Sequence, residues 1–272
     1  MSVLEALILG ITQGLTEFLP VSSSGHLVLV PEFFNLSAPT LGFDIVVHFA
    51  TLLAVLGYFM RDVRQIVVAL IAPRRMSRPE IKYWRRLCAW LVIGSIPAAV
   101  AGFGFSRFFD DLFASTMAVG IFLLVTSALL FGSDFALGRV SREPMQLGKM
   151  RAADALIIGC FQALAIAPGL SRSGSTIAAG IFLGFDRPSA ARFSFLLSIP
   201  AILGAFVASL VGVGGGFAGA SVWAYLVGAL AAAVTGFLAI YLLMRYVKQH
   251  RLRLFAIYAA LLGVFVIVLS AV

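Results

Sequence analysis

Charged residues make up only 12% of this 272-residue chain, about half the share of an ordinary soluble domain. That scarcity, with 61% apolar residues and a mean hydropathy of +1.04, excludes a disordered chain and a soluble enzyme. Cysteine is nearly absent. Cys88 and Cys160 are too few and too far apart for a disulfide framework or a zinc site. The beginning of the chain lacks a basic stretch, and Gln13, Glu17 and Pro20 stand where a small-residue cleavage site would be needed. The N-terminal segment is therefore not read as a signal peptide.

What the chain has in abundance is long apolar runs. A spanning helix needs about 20 of them in a row, and six windows qualify: 41–59, 87–105, 114–132, 193–212, 222–243 and 254–272. Two further stretches are broken at their centres. Residues 2–34 are interrupted by Glu17, Pro20, Ser22, Ser23, Ser24, Gly25 and His26. Residues 152–185 are interrupted by Pro168, Gly169, Ser171, Arg172, Ser173, Gly174 and Ser175. Irregular backbone at membrane depth survives only inside protein or beside a wet cavity. Both stretches are thus expected to be re-entrant helical hairpins. The fold class is an all-α polytopic membrane protein: six transmembrane helices plus two hairpins in one domain, 1–272.

The sign of the charge locates the chain in the bilayer. All but two of the 20 Lys and Arg fall in four linkers, 60–86, 133–151, 186–192 and 244–253, and the two others are Arg107 and Arg172. If the first hairpin returns to the side it entered from, the six spans put all four linkers on one face. The positive-inside rule makes that face cytoplasmic and leaves both termini outside. The net charge of +8 is then a topology signal rather than a nucleic-acid footprint. The acidic Asp110 and Asp111, beside Arg107, are expected in a solvated outer turn.

The two broken stretches also resemble each other. GITQGLTEFLPVSSSG at 10–25 lies over GCFQALAIAPGLSRSG at 159–174 without a gap, and AAVAGF at 98–103 echoes AAVTGF at 232–237. Two halves follow, 1–135 and 150–272, each a hairpin plus three spans. An odd number of spans gives the halves opposite orientation, and inverted repeats with broken helices place a site where the tips meet.

The residues at the tips suggest the chemistry. Gln13 and Glu17, four apart, share a helical face. An acid at membrane depth requires a partner, so Glu17 is a candidate metal ligand or general base, against the alternative of a carboxylate held by backbone amides. Ser22, Ser23 and Ser24 either cap the next helix or cradle phosphate, and one helix start can do both. His26 suits proton transfer, covalent attack or metal ligation, unless it only bonds a helix backbone. Arg172 can clamp a phosphate with its fork, unless it is a structural partner of Glu17. Ser171, Ser173 and Thr176 add hydroxyls. Asp44 and His48, another i,i+4 pair, extend the binding site outward or form an interfacial pair. Together these groups fit hydrolysis of a phosphorylated lipid better than transport, with a polyprenyl-phosphate transporter or flippase as the alternative.

At these residues the sequence resembles the undecaprenyl-diphosphate phosphatase family linked to bacitracin resistance. The resemblance rests on Gln13 and Glu17 followed by PVSSSGH at 20–26, and on the PGxSRSGxT pattern from Pro168 to Thr176. Phosphatidic-acid-type phosphatases also carry Ser-Gly-His and Ser-Arg elements, but their final His-x-x-x-Asp is missing here. The family resemblance implies removal of the terminal phosphate from undecaprenyl diphosphate in the bacterial inner membrane, for peptidoglycan synthesis. It also implies a divalent cation (Mg or Ca), a site opening to the periplasm, and a homodimer. Carried over by position, Glu17 holds the metal or acts as base, and Arg172 clamps the diphosphate. Ser23 or His26 is the nucleophile or orients a water. Ser22, Ser171, Ser173 and Thr176 bind phosphate oxygens; beside these, the reading of the residues themselves adds Gln13, Ser24, Asp44 and His48 as substrate-binding candidates.

Overall fold

The computed structural model describes residues 1–113, 115–139, 143–212 and 221–271. Arg142 lies outside them, as do the side chains of Arg107, Asp110, Asp111 and Arg139. Among the described residues the chain is helical, with no strand and one isolated bridge between Met145 and Phe185.

Among the described residues twelve α-helices follow one another. The first broken stretch forms α1 (Val3–Phe18) and α2 (Ser23–Phe34), and the second forms α8 (Ala152–Leu164) and α9 (Arg172–Phe182). Between and after them run α3 (Leu41–Tyr58), α4 (Met60–Ile71), α5 (Arg78–Gly104), α6 (Ser106–Phe113), α7 (Thr116–Arg139), α10 (Arg187–Gly212), α11 (Val222–Tyr246) and α12 (Arg253–Ala271). Six of these, α3, α5, α7, α10, α11 and α12, are long and apolar enough to cross a bilayer, and each covers most of one of the six expected windows. At 1.5 Å per residue, the 16-residue α1 reaches only about 24 Å, short of a hydrocarbon core of about 30 Å. The helices α2, α8 and α9 are shorter still.

Two linkers are more ordered than the sequence suggests. The basic segment after α3 folds as α4, and α5 begins at Arg78, well before its apolar window. Their alternating apolar and basic residues make amphipathic turns, which a search for uninterrupted apolar runs passes over. The expected outer turn around Asp110 is likewise helical, as α6.

The breaks have local causes. Pro20 pushes Leu19 into extended backbone (φ −66°, ψ 142°) and ends α1. In the second break Gly169 has φ +88°, and a Cβ there would lie 2.3 Å from the Val119 carbonyl oxygen, so only glycine fits.

Packing is close because small residues face each other. A Cβ on Gly10 would sit 2.3 Å from the carbonyl oxygen of Gly228, and one on Gly159 would sit 2.3 Å from that of Gly94. These contacts dock α1 on α11 and α8 on α5, by the small-residue approach that membrane helices use in place of a hydrophobic driving force. Helix α7 packs on α12, α3 contacts α10 and α11, and α9 lies against α7, α8 and α10. The core gathers Phe18, Phe185, Phe193 and Phe195 around the breaks. The outer faces expose large apolar side chains such as Phe103, Trp223, Leu230 and Leu261, as lipid contact requires.

The basic linkers meet at one end of the bundle. Arg192 pairs with Asp62 and lies over Trp84, while Arg187 pairs with the buried Asp134. These contacts tie the linker after α3, the end of α7 and the start of α10 together.

Candidate active site

The two breaks, more than a hundred residues apart, touch. Arg172 Nη2 donates to Glu17 Oε1 at 2.8 Å, and Ser173 Oγ donates to the Leu19 carbonyl at 3.0 Å. Glu17, at the end of α1, is buried, and its second oxygen is equally engaged. Oε2 accepts from Ser23 Oγ at 2.6 Å and from Gln13 Nε2 at 3.0 Å. His48 Nε2, from α3, stands 3.9 Å from the same oxygen. The result is a hydroxyl, a carboxylate and a guanidinium in line, with a histidine at the edge.

These groups line a cavity of about 380 Å³. Its polar groups are Glu17, Ser22, Ser23, Ser24, Asp44, His48 and Arg172; apart from Ser209 its other walls are apolar, including Ile45, Ile166, Leu170, Ile202 and Phe206. A second cavity of about 460 Å³ shares Ser24, Asp44, His48 and Phe113 with it. A pocket with polar groups and apolar walls matches a lipid with a charged headgroup. Two buried polar atoms on the lining side chains have no hydrogen-bond partner, Arg172 Nη1 and Asp44 Oδ1. One is a free donor and the other a free acceptor, so an anion and a cation each find a waiting partner.

Local structure explains the geometry around Ser23. Ser22 has φ 70°, unusual for a residue with a Cβ and costing about 1–3 kcal/mol. That turn lets its side chain cap Gly25 N at 3.3 Å while Ser23 begins α2 facing Glu17. Ser171 does the same for α9, accepting from Gly174 N at 3.0 Å. The serines therefore cap helices, and Ser22, Ser23 and Ser24 also face the cavity. Ser171, Ser173 and Thr176 are absent from its lining. Ser171 N donates to Thr126 Oγ1 at 2.9 Å, and Thr176 Oγ1 donates to the Arg172 carbonyl at 2.8 Å and meets Ser194 Oγ at 2.6 Å.

His26 is also absent from the lining. Its Nδ1 lies 2.7 Å from the Ser22 carbonyl and its Nε2 2.6 Å from the Tyr258 hydroxyl. Arg172 combines both readings of the sequence: it is the ion-pair partner of Glu17 and still has Nη1 to offer. Sequence reasoning missed the apolar wall from α10, Thr126 and Tyr258. Nothing local marks Tyr258, an aromatic in an apolar helix; Thr126 is a polar residue in an apolar run, a signal that was available.

The divalent cation implied by the resemblance can be set against this geometry. Among the described residues no group of three or more His, Cys, Asp or Glu stands together to hold a metal ion. Glu17 is already saturated by Arg172, Ser23 and Gln13, whereas Asp44 has a free oxygen. One or two carboxylate oxygens fit a hard cation that takes the rest of its shell from phosphate and water, the usual manner of Mg²⁺.

Comparison with known proteins agrees with the motifs. The family model described as bacitracin resistance protein BacA matches residues 6–265. A protein of Thermomicrobium roseum named undecaprenyl-diphosphatase is 43% identical over 267 residues, covering 97% of this chain and 96% of that protein. Proteins of the same name from Desulfosudis oleivorans (45% over 274 residues, 97% of each chain) and Methanosphaera stadtmanae (40% over 287 residues, 100% and 99%) are similar throughout. Matched along nearly its whole length, this chain belongs to the bacitracin resistance protein BacA family.

Proposed function

We propose that this protein is an undecaprenyl-diphosphatase, releasing inorganic phosphate and undecaprenyl phosphate for reuse in peptidoglycan synthesis. The observation that carries the mechanism is the 2.6 Å hydrogen bond from Ser23 Oγ to Glu17 Oε2 beside Arg172. A hydroxyl becomes a nucleophile when a positioned base takes its proton. Ser23 Oγ attacks the terminal phosphorus while its proton passes to Glu17. The bond from that phosphorus to the bridging oxygen breaks, and undecaprenyl phosphate leaves with the bridging oxygen. Water then attacks the phosphoserine, restoring the Ser23 hydroxyl and releasing phosphate.

Arg172 holds Glu17 through Nη2 and offers Nη1 to a phosphate oxygen, placing a fixed positive charge where negative charge develops in the transition state. Asp44, with Glu17 nearby, would hold the divalent cation, which when bound neutralises diphosphate charge. The apolar walls take the first isoprene units, and the rest of the chain stays in lipid. The relatives bear the name of a hydrolase and lend the transporter alternative no support.

The membrane arrangement belongs to the same proposal. Helices α1–α2 and α8–α9 are too short to span and meet at their breaks, which supports two re-entrant hairpins. Gly10 against Gly228 and Gly159 against Gly94 are equivalent contacts in the two halves, because the offset that aligns 98–103 with 232–237 also aligns Gly94 with Gly228. This supports the inverted repeat. The clustering of basic linkers at one end supports a cytoplasmic face there, with the termini and the cavity mouth toward the periplasm.

Purified protein given undecaprenyl diphosphate is expected to release phosphate, and to stop when a chelator removes divalent cations. Glu17→Gln is expected to lower the rate at least about tenfold, or about 1.4 kcal/mol of barrier. Absence of release by the wild type would refute the assignment.

A further inference from the structure

We propose that Tyr258, on α12, is a positioning residue that acts through His26 to hold the turn presenting Ser23. The proposal rests on the reading of Ser23 as nucleophile and adds a third helix to that site.

The chain of contacts begins at Ser22. A residue with a Cβ does not stay at φ 70° unless its surroundings hold it there. Here the Ser22 carbonyl is gripped twice from one residue, by His26 N at 3.2 Å and by the His26 ring at 2.7 Å. A carbonyl only accepts, so Nδ1 carries the proton. In the neutral ring Nε2 is then an acceptor, and the Tyr258 hydroxyl, 2.6 Å away, donates to it. The two rings also stack, with centroids 5.7 Å apart and planes 9° from parallel. One heptad further along both helices Phe33 meets Phe265, centroids 5.5 Å apart. The helices α2 and α12 therefore run side by side in the same direction at this seam, and Tyr258 is in register with His26 by packing.

Both ring nitrogens of His26 are occupied and the ring stands off the cavity lining, while Glu17 bonds Ser23 directly. His26 thus acts on Ser23 through the backbone, as the second member of a clamp. Tyr258 is half-exposed on a helix long and apolar enough to cross a bilayer, and at membrane depth a hydroxyl has no water to take the place of His26. The clamp is therefore held in one arrangement, with the tautomer of His26 fixed as part of it.

The test combines a spectroscopic and a kinetic reading of Tyr258→Phe, which keeps the stacked ring and removes only the donor. The chain has three histidines, so the ¹⁵N resonances of His26 are assignable in micelles by comparison with His48→Gln and His250→Gln. The wild type should show a single Nδ1–H tautomer, and Tyr258→Phe a mixture. In turnover, Tyr258→Phe should lower kcat about three- to tenfold with KM within twofold. Glycine adopts φ 70° without strain, so in a Ser22→Gly background the same change should cost less than about twofold. An unaltered His26 tautomer in Tyr258→Phe, or an equal kcat penalty in both backgrounds, would overturn the clamp. If Ser23→Ala stays active, the nucleophile reading fails while the tautomer result still decides whether the clamp exists.

Discussion

Glu17 illustrates how one buried carboxylate can be both structural and chemical. It receives a guanidinium, a hydroxyl and an amide, which is how a charge at membrane depth is kept. Breaking a buried pair from one side leaves the other charge stranded, a cost of about 3–5 kcal/mol. Variants at Arg172 must therefore be read for stability as well as rate. Arg172→Lys keeps the charge but cannot serve Glu17 and phosphate with one planar fork. It is expected to remain folded, with turnover at least about tenfold lower, as measured by phosphate release alongside a thermal melt. Turnover near that of the wild type would remove the clamp role of Nη1. The identity of these residues was legible in the sequence because a Glu, an Arg and a run of serines have no reason to lie in apolar stretches unless they meet. Their division of labour was not: whether a serine caps a helix or lines a cavity depends on which way its turn faces, and that is set by the φ of Ser22 and the position of α12.

At the scale of elements, the bundle is held where glycines let backbones touch. Gly10→Ala and Gly159→Ala each place a methyl against a carbonyl oxygen of the facing helix, Gly228 or Gly94. Overpacking of this kind costs about 1–3 kcal/mol, and both variants should melt at lower temperature in detergent. Gly204→Ala, with nothing within 4 Å of the added carbon, should not. Equal behaviour of all three would show that the glycine contacts carry no packing energy. The six long helices were legible because each is a continuous apolar run with polar ends. Helices α4 and α6 were not, since short amphipathic helices lying between spans share the composition of loops. Echoes such as AAVAGF and AAVTGF hinted at paired contacts, but only the docking of α1 on α11 and α8 on α5 reveals the glycines as partners.

For the whole molecule, charge sets orientation and the breaks set function. Cysteine-scanning on a background lacking Cys88 and Cys160 is expected to leave Arg74→Cys and Lys248→Cys unlabelled by an impermeant reagent in intact cells. Ser37→Cys, in the loop between α2 and α3, should be labelled. The reverse pattern would invert the proposed topology and turn the cavity mouth to the cytoplasm. The proposed mechanism turns on one atom, the Ser23 oxygen poised on Glu17 between two broken helices. Its most direct test is the turnover of Ser23→Ala on saturating undecaprenyl diphosphate. Ser23→Ala is expected to fold and to release phosphate at least about a hundredfold more slowly than the wild type, about 2.7 kcal/mol of barrier or more. Release at the wild-type rate would contradict that mechanism.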